Sequence, residues 1–178
     1  YKGGKISPVF ARIGVLVFGA VLLVSANYTY GTGALEEWLL IRPSLYADEN
    51  AAKVEQALWL EGLTTPDATI ALSGAGIVPY FADRPYVDLL GKNDKTIAHL
   101  PMDRTIIPEL KPGHMKWDYA YSIGELQPDV VLELWVQPQD AGPYLDAGYL
   151  PIWFPPKNGN VWIREESPDV RWERIFGG

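Results

Sequence analysis

A chain of 178 residues, 48% of them hydrophobic, is long enough for one domain with a sizeable core plus an appendage. It has no cysteine, which excludes disulfides, thiolate metal sites and a cysteine nucleophile. A net charge of −7 argues against nucleic acid as a partner, because phosphate contacts need clustered Lys and Arg.

The charge is unevenly placed. The first 33 residues carry Lys2, Lys5 and Arg12 and no acid, so all 22 acidic residues fall in the rest of the chain. From Ile13 to Ala26 there is no charge, and Ser25 is the only hydroxyl. Extended through Ile6–Ala11 and Asn27–Tyr30, the run reaches the roughly 20 residues that a membrane-crossing helix needs. Arg12 can snorkel at one interface, and Tyr28 and Tyr30 suit the other. The basic flank predicts a cytoplasmic N-terminus and a periplasmic or extracellular body. Residues 1–33 are therefore expected to be a transmembrane anchor; a signal-like segment and a buried core helix are the competing readings. The chain opens on Tyr1, so a processed start and a piece of a longer protein both stay open.

Residues 34–46, with Trp38, Leu39, Leu40 and Ile41 ahead of Pro43, predict an interfacial linker. An α/β domain over 47–178 is expected to follow. Its first helix is "DENAAKVEQALWLEG", capped by Asp48 or Asn50, with Ala51, Val54 and Leu58 on one face and Gly62 as its end. Apolar runs then predict strands at "ATIALSG", "PYVDLLG", "DVVLELW", "YLPIWF" and "NVWIREES", the fourth an edge strand because of Pro151. Helical pieces are expected at Ile77–Phe81, Lys95–His99, "KWDYAYSIGELQ" and Gln139–Ala147. Such alternation predicts a Rossmann-like, three-layer domain with a mixed, mostly parallel sheet, and the last two strands read as an edge hairpin. The tail from Pro168 carries no regular signal.

Ligands of such sheets sit at the carboxyl ends of the strands. Ser73–Gly76 and Asp88–Asp94 are therefore the candidate binding loops. "SGAG" lacks the third glycine of a dinucleotide loop and the G-K-S/T of a phosphate loop, so tight-turn chemistry is the simpler reading. Asp83–Arg84 reads as a turn with an ion pair. Asp88 interrupts an apolar strand, so its carboxylate must find Arg84, Lys92 or loop amides. In "PGHMKWD", His114, Lys116 and Asp118 could face a ligand, or Asp118 could serve only the start of a helix. The two histidines form no metal-binding spacing, and no serine sits in a G-x-S-x-G elbow. Neither a metal, a cofactor nor a catalytic residue is expected. Trp38, Trp153, Trp162 and Trp172 are the aromatics expected to face a partner or the bilayer.

One resemblance adds to this. Gly76, Tyr80 and Phe81 match G-x-x-x-Y-F, and Asp88, Gly91, Asp94, Ile97 and Ala98 match D-x-x-G-x-x-D-x-x-I-A. Gly113, His114, Lys116 and Asp118 match G-H-x-K-x-D, and Pro128-Asp129 precedes a strand. Over residues 68–135 the chain resembles the extracytoplasmic C-terminal region of bacterial multi-spanning GT-C-type glycosyltransferases, including arabinofuranosyltransferase-like proteins. The resemblance implies an α/β fold and Gly76, Tyr80, Asp88, Asp94, His114, Lys116 and Asp118 as ligand-binding positions. Such transferases hold their catalytic carboxylates in membrane-proximal loops of a many-helix bundle, and this sequence has one candidate helix. The expectation is thus a noncatalytic, membrane-anchored accessory subunit whose partners are membrane proteins and lipid. The alternative is a domain that binds a glycan or lipid-linked acceptor.

Overall fold

The computed structural model describes residues 7–29 and 34–177. Lys2, Lys5, Ile6 and Tyr30 lie outside the described residues, as do the side chains of Asn27, Tyr28 and Thr29. The chain divides into two compact units, residues 1–48 and 49–178.

In the first unit, helix α1 (Pro8–Thr29) has 22 residues and starts on a proline, whose missing N–H costs nothing there. At 1.5 Å per residue it is about 33 Å long, enough for a hydrocarbon core of about 30 Å. Pro8–Ala26 is apolar enough to cross a membrane, and none of it is buried. A short helix α2 (Ala34–Trp38) follows and turns back on itself, with the Ile41 N–H donating to Glu36 O at 2.8 Å and Arg42 pairing with Glu36 and Glu37.

The second unit is mixed α/β, built on a five-stranded mixed sheet in the order β2-β1-β3-β5-β4. The strands are β1 (Ile70–Leu72), β2 (Tyr86–Asp88), β3 (Val130–Val131), β4 (Tyr149–Phe154) and β5 (Gly159–Arg164). β1 pairs in parallel with β2 and β3; β5 is antiparallel to both β3 and β4. The sheet is therefore half parallel rather than mostly so. β4, with Pro151, lies at an edge in the predicted hairpin. β3 is much shorter than "DVVLELW" suggests: after Leu132, whose N–H still reaches Ala71 O, the chain leaves the sheet.

Alternation sends neighbouring side chains to opposite faces. Ile70, Leu72, Val130 and Ile163 join one buried cluster with Leu60 of α3 (Ala47–Leu63), Val78 of α4 (Ile77–Ala82), and Phe154. Ala71 and Val131 join the other, with Val87, Ile123 and Leu145. That second face is covered by a π-helical turn, Ala120–Glu125, where an ordinary helix was expected, and by α6 (Gly142–Leu145), a short α-helix within the expected 139–147 piece. A four-residue helix α5 (Lys95–Ala98) lies in the β2-to-β3 crossover.

Helix α3 departs from expectation in three ways. It starts at Ala47, so Asp48 and Asn50 lie inside it. It buries Gln56, Ala57, Leu60 and Leu63, leaving Leu58 exposed. It also runs past Gly62 to Leu63, because its end is held by arginines rather than by a glycine cap. Arg84 donates to Glu61 O and Thr64 O, Arg171 to Glu61 O and Gly62 O, and Arg174 to Gly62 O. Cations at the negative end of the helix and donors for its last carbonyls are both stabilising. Arg84 is thus committed here, and the expected Asp83–Arg84 ion pair does not form among the described residues. The tail is likewise ordered: Val170 is buried and bridges to Thr64, and α7 (Trp172–Phe176) packs Trp172 against the core. Trp172 and the half-buried Trp162, with Lys157 over its ring, therefore do not face outward as expected; Trp38 and Trp153 do.

Candidate functional site

The parallel strands β1, β2 and β3 end on one side of the sheet. Their following loops are 73–76, 89–94 and 132–137. From β1 the chain crosses to β2 on one side, while β3 lies on the other, so the crevice opens between β1 and β3. Glu133 occupies it. One carboxylate oxygen accepts from Ser73 Oγ at 2.9 Å and from the Gly74 N–H at 2.8 Å, and the other pairs with Lys53 Nζ at 2.9 Å. Burial pushes the Glu133 pKa up, but Lys53, Ser73 and Gly74 together outweigh it and hold the carboxyl below its ordinary value. Beside it, Lys157 Nζ donates to Leu132 O at 2.6 Å and Asn160 O at 3.2 Å. Burial lowers the Lys157 pKa, Glu133 works against that shift, and Lys53 adds to it. Next to this network lies a cleft of about 360 Å³, walled by Asn50, Lys53, Gly76, Ile77 and Lys92.

The predicted residues divide into three groups. Asp88 and Asp118 serve the backbone. Asp88 is buried at the end of β2 and accepts from the Leu90 and Asn93 N–H groups at 3.0 and 2.6 Å, closing the loop as the amide alternative anticipated. Asp118 accepts from the Tyr121 N–H at 3.1 Å. Asp94 caps α5 through Ile97 N–H, and its other oxygen accepts from Tyr121 Oη at 3.1 Å.

The second group stands beside the cleft. His114 Nδ1 faces Pro112 O at 2.9 Å and so carries the proton, leaving Nε2 to accept from Lys92 Nζ at 3.3 Å. The His114 ring packs against Trp135 at 5.2 Å, and the Trp135 indole N–H donates to His114 O at 3.1 Å. The Trp135 N–H in turn donates to Tyr119 Oη, which donates to Val136 O; burial pushes the Tyr119 pKa up to about 12. Lys116 turns away and donates to Ala98 O.

In the third group, Gly76 lies where the cleft meets a second groove, of about 470 Å³, beside Tyr80 and Tyr86. Tyr80 is exposed there, edge-on to Phe81 at 5.1 Å. Among the described residues no cluster of three His, Asp or Glu could hold a metal ion.

Lys53, Glu133 and Trp135 were not anticipated. The signal for Glu133 was the one that flagged Asp88, an acid interrupting an apolar run.

Gly91 sets the shape of the second loop. Its φ is +70°, and a Cβ there would lie 2.7 Å from Ala98 N and 2.8 Å from Ile97 Cβ. Gly91→Ala is expected to destabilise the domain by about 1–3 kcal/mol, from left-handed strain and a clash against the Ala98 backbone and the buried Ile97 side chain. A urea midpoint matching the wild type would refute this.

A family model described as Domain of unknown function (DUF8728) matches residues 41–170. Comparison with curated proteins and with solved structures gives no match.

Proposed function

We propose that this chain, which belongs to the DUF8728 family, is a noncatalytic membrane-anchored module: α1 spans the bilayer, and the Rossmann-like α/β unit serves outside it as an accessory subunit of a membrane assembly. The observation that carries the proposal is α1, a 22-residue helix whose apolar surface is left entirely uncovered. The segment that follows it supports the same reading. Trp38 is 78% and Leu40 89% exposed, and five residues from Thr29 to Ala34 reach no more than about 18 Å. The Trp38–Ile41 turn therefore stays within reach of the headgroups, where tryptophan is favoured. A noncatalytic role is supported by Glu133, which fills the position at the strand ends where such sheets hold their ligands. Anchoring favours partners in the same membrane by raising their effective concentration.

The wild-type chain is expected to stay in the membrane pellet after carbonate washing. Val17→Arg adds about 2.5–3.5 kcal/mol to insertion at the helix centre and is expected to deplete that pellet. Mass spectrometry after gentle detergent extraction should find other membrane subunits in fixed stoichiometry. Release of the wild type by carbonate would end the anchoring proposal, and purification as a lone chain would end the subunit proposal.

A second reading, binding of a glycan or lipid-linked acceptor, is favoured by the Tyr80–Tyr86 groove, since exposed tyrosine rings can stack on sugar faces. Glycan-array binding lost in Tyr80→Ala would support it.

A further inference from the structure

Lys53, Lys92, Lys157 and His114 stand at the carboxyl edge of the parallel strands among the acids Glu49, Asp88, Asp94 and Glu133. Lys53 and Lys92 line the cleft there together with Glu49, His114 lies against Lys92, and Lys157 stands beside the part-buried Glu133, which is already committed to Lys53, Ser73 and Gly74. The ion pairs among the described residues join Arg42 to Glu36 and Glu37, Lys53 to Glu133, and Arg164 to Asp129. Lys92 is in none of them, and its ammonium lies against the imidazole of His114 instead. That placement is built rather than incidental. Gly113, at φ +74°, turns the 112–114 segment so closely over the lysine stem that a Cβ there would lie 3.4 Å from Lys92 Cε. Trp135 fixes His114 from behind through its indole N–H and ring. An ammonium and an imidazole acceptor held side by side at a cleft, with the Lys53 ammonium at its wall, are satisfied together by one anion that has both acceptor oxygens and an O–H.

We infer that the cleft between Lys53 and Lys92 binds a phosphate group, with Lys92 and His114 as its principal ligands. Phosphate fits better than a carboxylate because its oxygens can accept from Lys92 and Lys53 while its P–OH donates to His114 Nε2, the ring's Nδ1 proton still donated to Pro112 O. The site goes beyond the anchoring role and does not depend on membership of an assembly. The phosphate comes either from a soluble molecule or from a lipid headgroup.

The protein's two histidines make the test direct. The full chain in maltoside micelles, which carry no phosphate, is titrated with inorganic phosphate while the imidazole resonances are followed; His99→Gln assigns them. The His114 signals are expected to shift saturably and those of His99 to stay. Lys92→Ala, an exposed position, is expected to weaken the response at least tenfold, and Lys92→Arg to keep it. Shifts with free phosphate identify a soluble source. Shifts only in phosphate-free buffer on nanodiscs containing phosphatidic acid identify a headgroup. His114 signals unmoved by either probe, or a response unchanged in Lys92→Ala, would overturn the assignment.

Discussion

Asp129→Ala is expected to lower stability by about 3 kcal/mol, a large share of the 5–15 kcal/mol typical of a domain. Asp129 is buried and joins three segments: it accepts from the Thr69 N–H at 2.8 Å, from Ser167 Oγ at 2.6 Å, and from the Arg164 guanidinium. Removing the carboxylate strands a part-buried N–H at the entry to β1 and a buried hydroxyl, and leaves Arg164 without its counter-charge. Because about a third of the Arg164 side chain is exposed, water can partly solvate the stranded charge, which keeps the cost at the lower end for a broken buried pair. The same residue makes stability depend on pH. Burial raises the Asp129 pKa, but Ser167, Thr69 and Arg164 outweigh it and hold it below its ordinary value. The unfolded state then binds a proton first as pH falls. The contribution is complete above the unfolded carboxyl pKa, about 3.9, and is lost as pH drops through the lower folded value. Glu133 acts in the same direction. Urea midpoints of the wild type should fall steeply below about pH 4, and those of Asp129→Ala less so. Parallel curves would show that the carboxylate contributes nothing.

Phe154→Ala is expected to cost about 3–5 kcal/mol. The ring is 1% exposed at the end of β4 and meets Trp59 of α3 edge-on, with centroids 5.4 Å apart. It packs between the hairpin and α3 within the buried cluster that includes Leu60. Phe154→Leu should cost clearly less, because most of the volume is retained. Chemical unfolding should move the midpoint with the slope unchanged. A loss below 1 kcal/mol would mean that α3 and the hairpin are held together elsewhere.

Local chemistry was legible where it acts over a few residues. The Asp88 loop follows from a carboxylate within an apolar strand ahead of Gly91, and the β4–β5 hairpin from alternation and the turn "PPKNGN". Pro151 marked its strand as an edge for the same kind of reason. The buried face of α3 was misplaced because its apolar residues surround the helix: Ala57 and Leu60 face the sheet, Trp59 is partly covered by Phe154 and Leu58 lies largely outside, and only the tertiary partners decide between them. Lys53 and Glu133 were missed because they lie 80 residues apart, and no period in a sequence carries such a pairing. "DVVLELW" read as one strand because Leu134 and Trp135 are as apolar as Val130 and Val131. The chain leaves the sheet where Glu133 turns to Lys53. Of the residues taken as ligand-binding, Asp88 and Asp118 have the right chemistry but spend it on amides. His114 stands beside the cleft, and it was Lys92, from a distant loop, that gave it a neighbour.

The arginines at the end of α3 set the order in which the unit can be completed. Arg171 and Arg174 reach carbonyls of α3 from 109 to 112 residues further along the chain. On the ribosome, the helix is made before Arg171 and Arg174, two of the three cations that neutralise its end. Until then its terminal carbonyls have only Arg84 and water for partners. Contacts of such long separation form late and slow folding, so the second unit closes as its tail arrives rather than growing outward from its first helix.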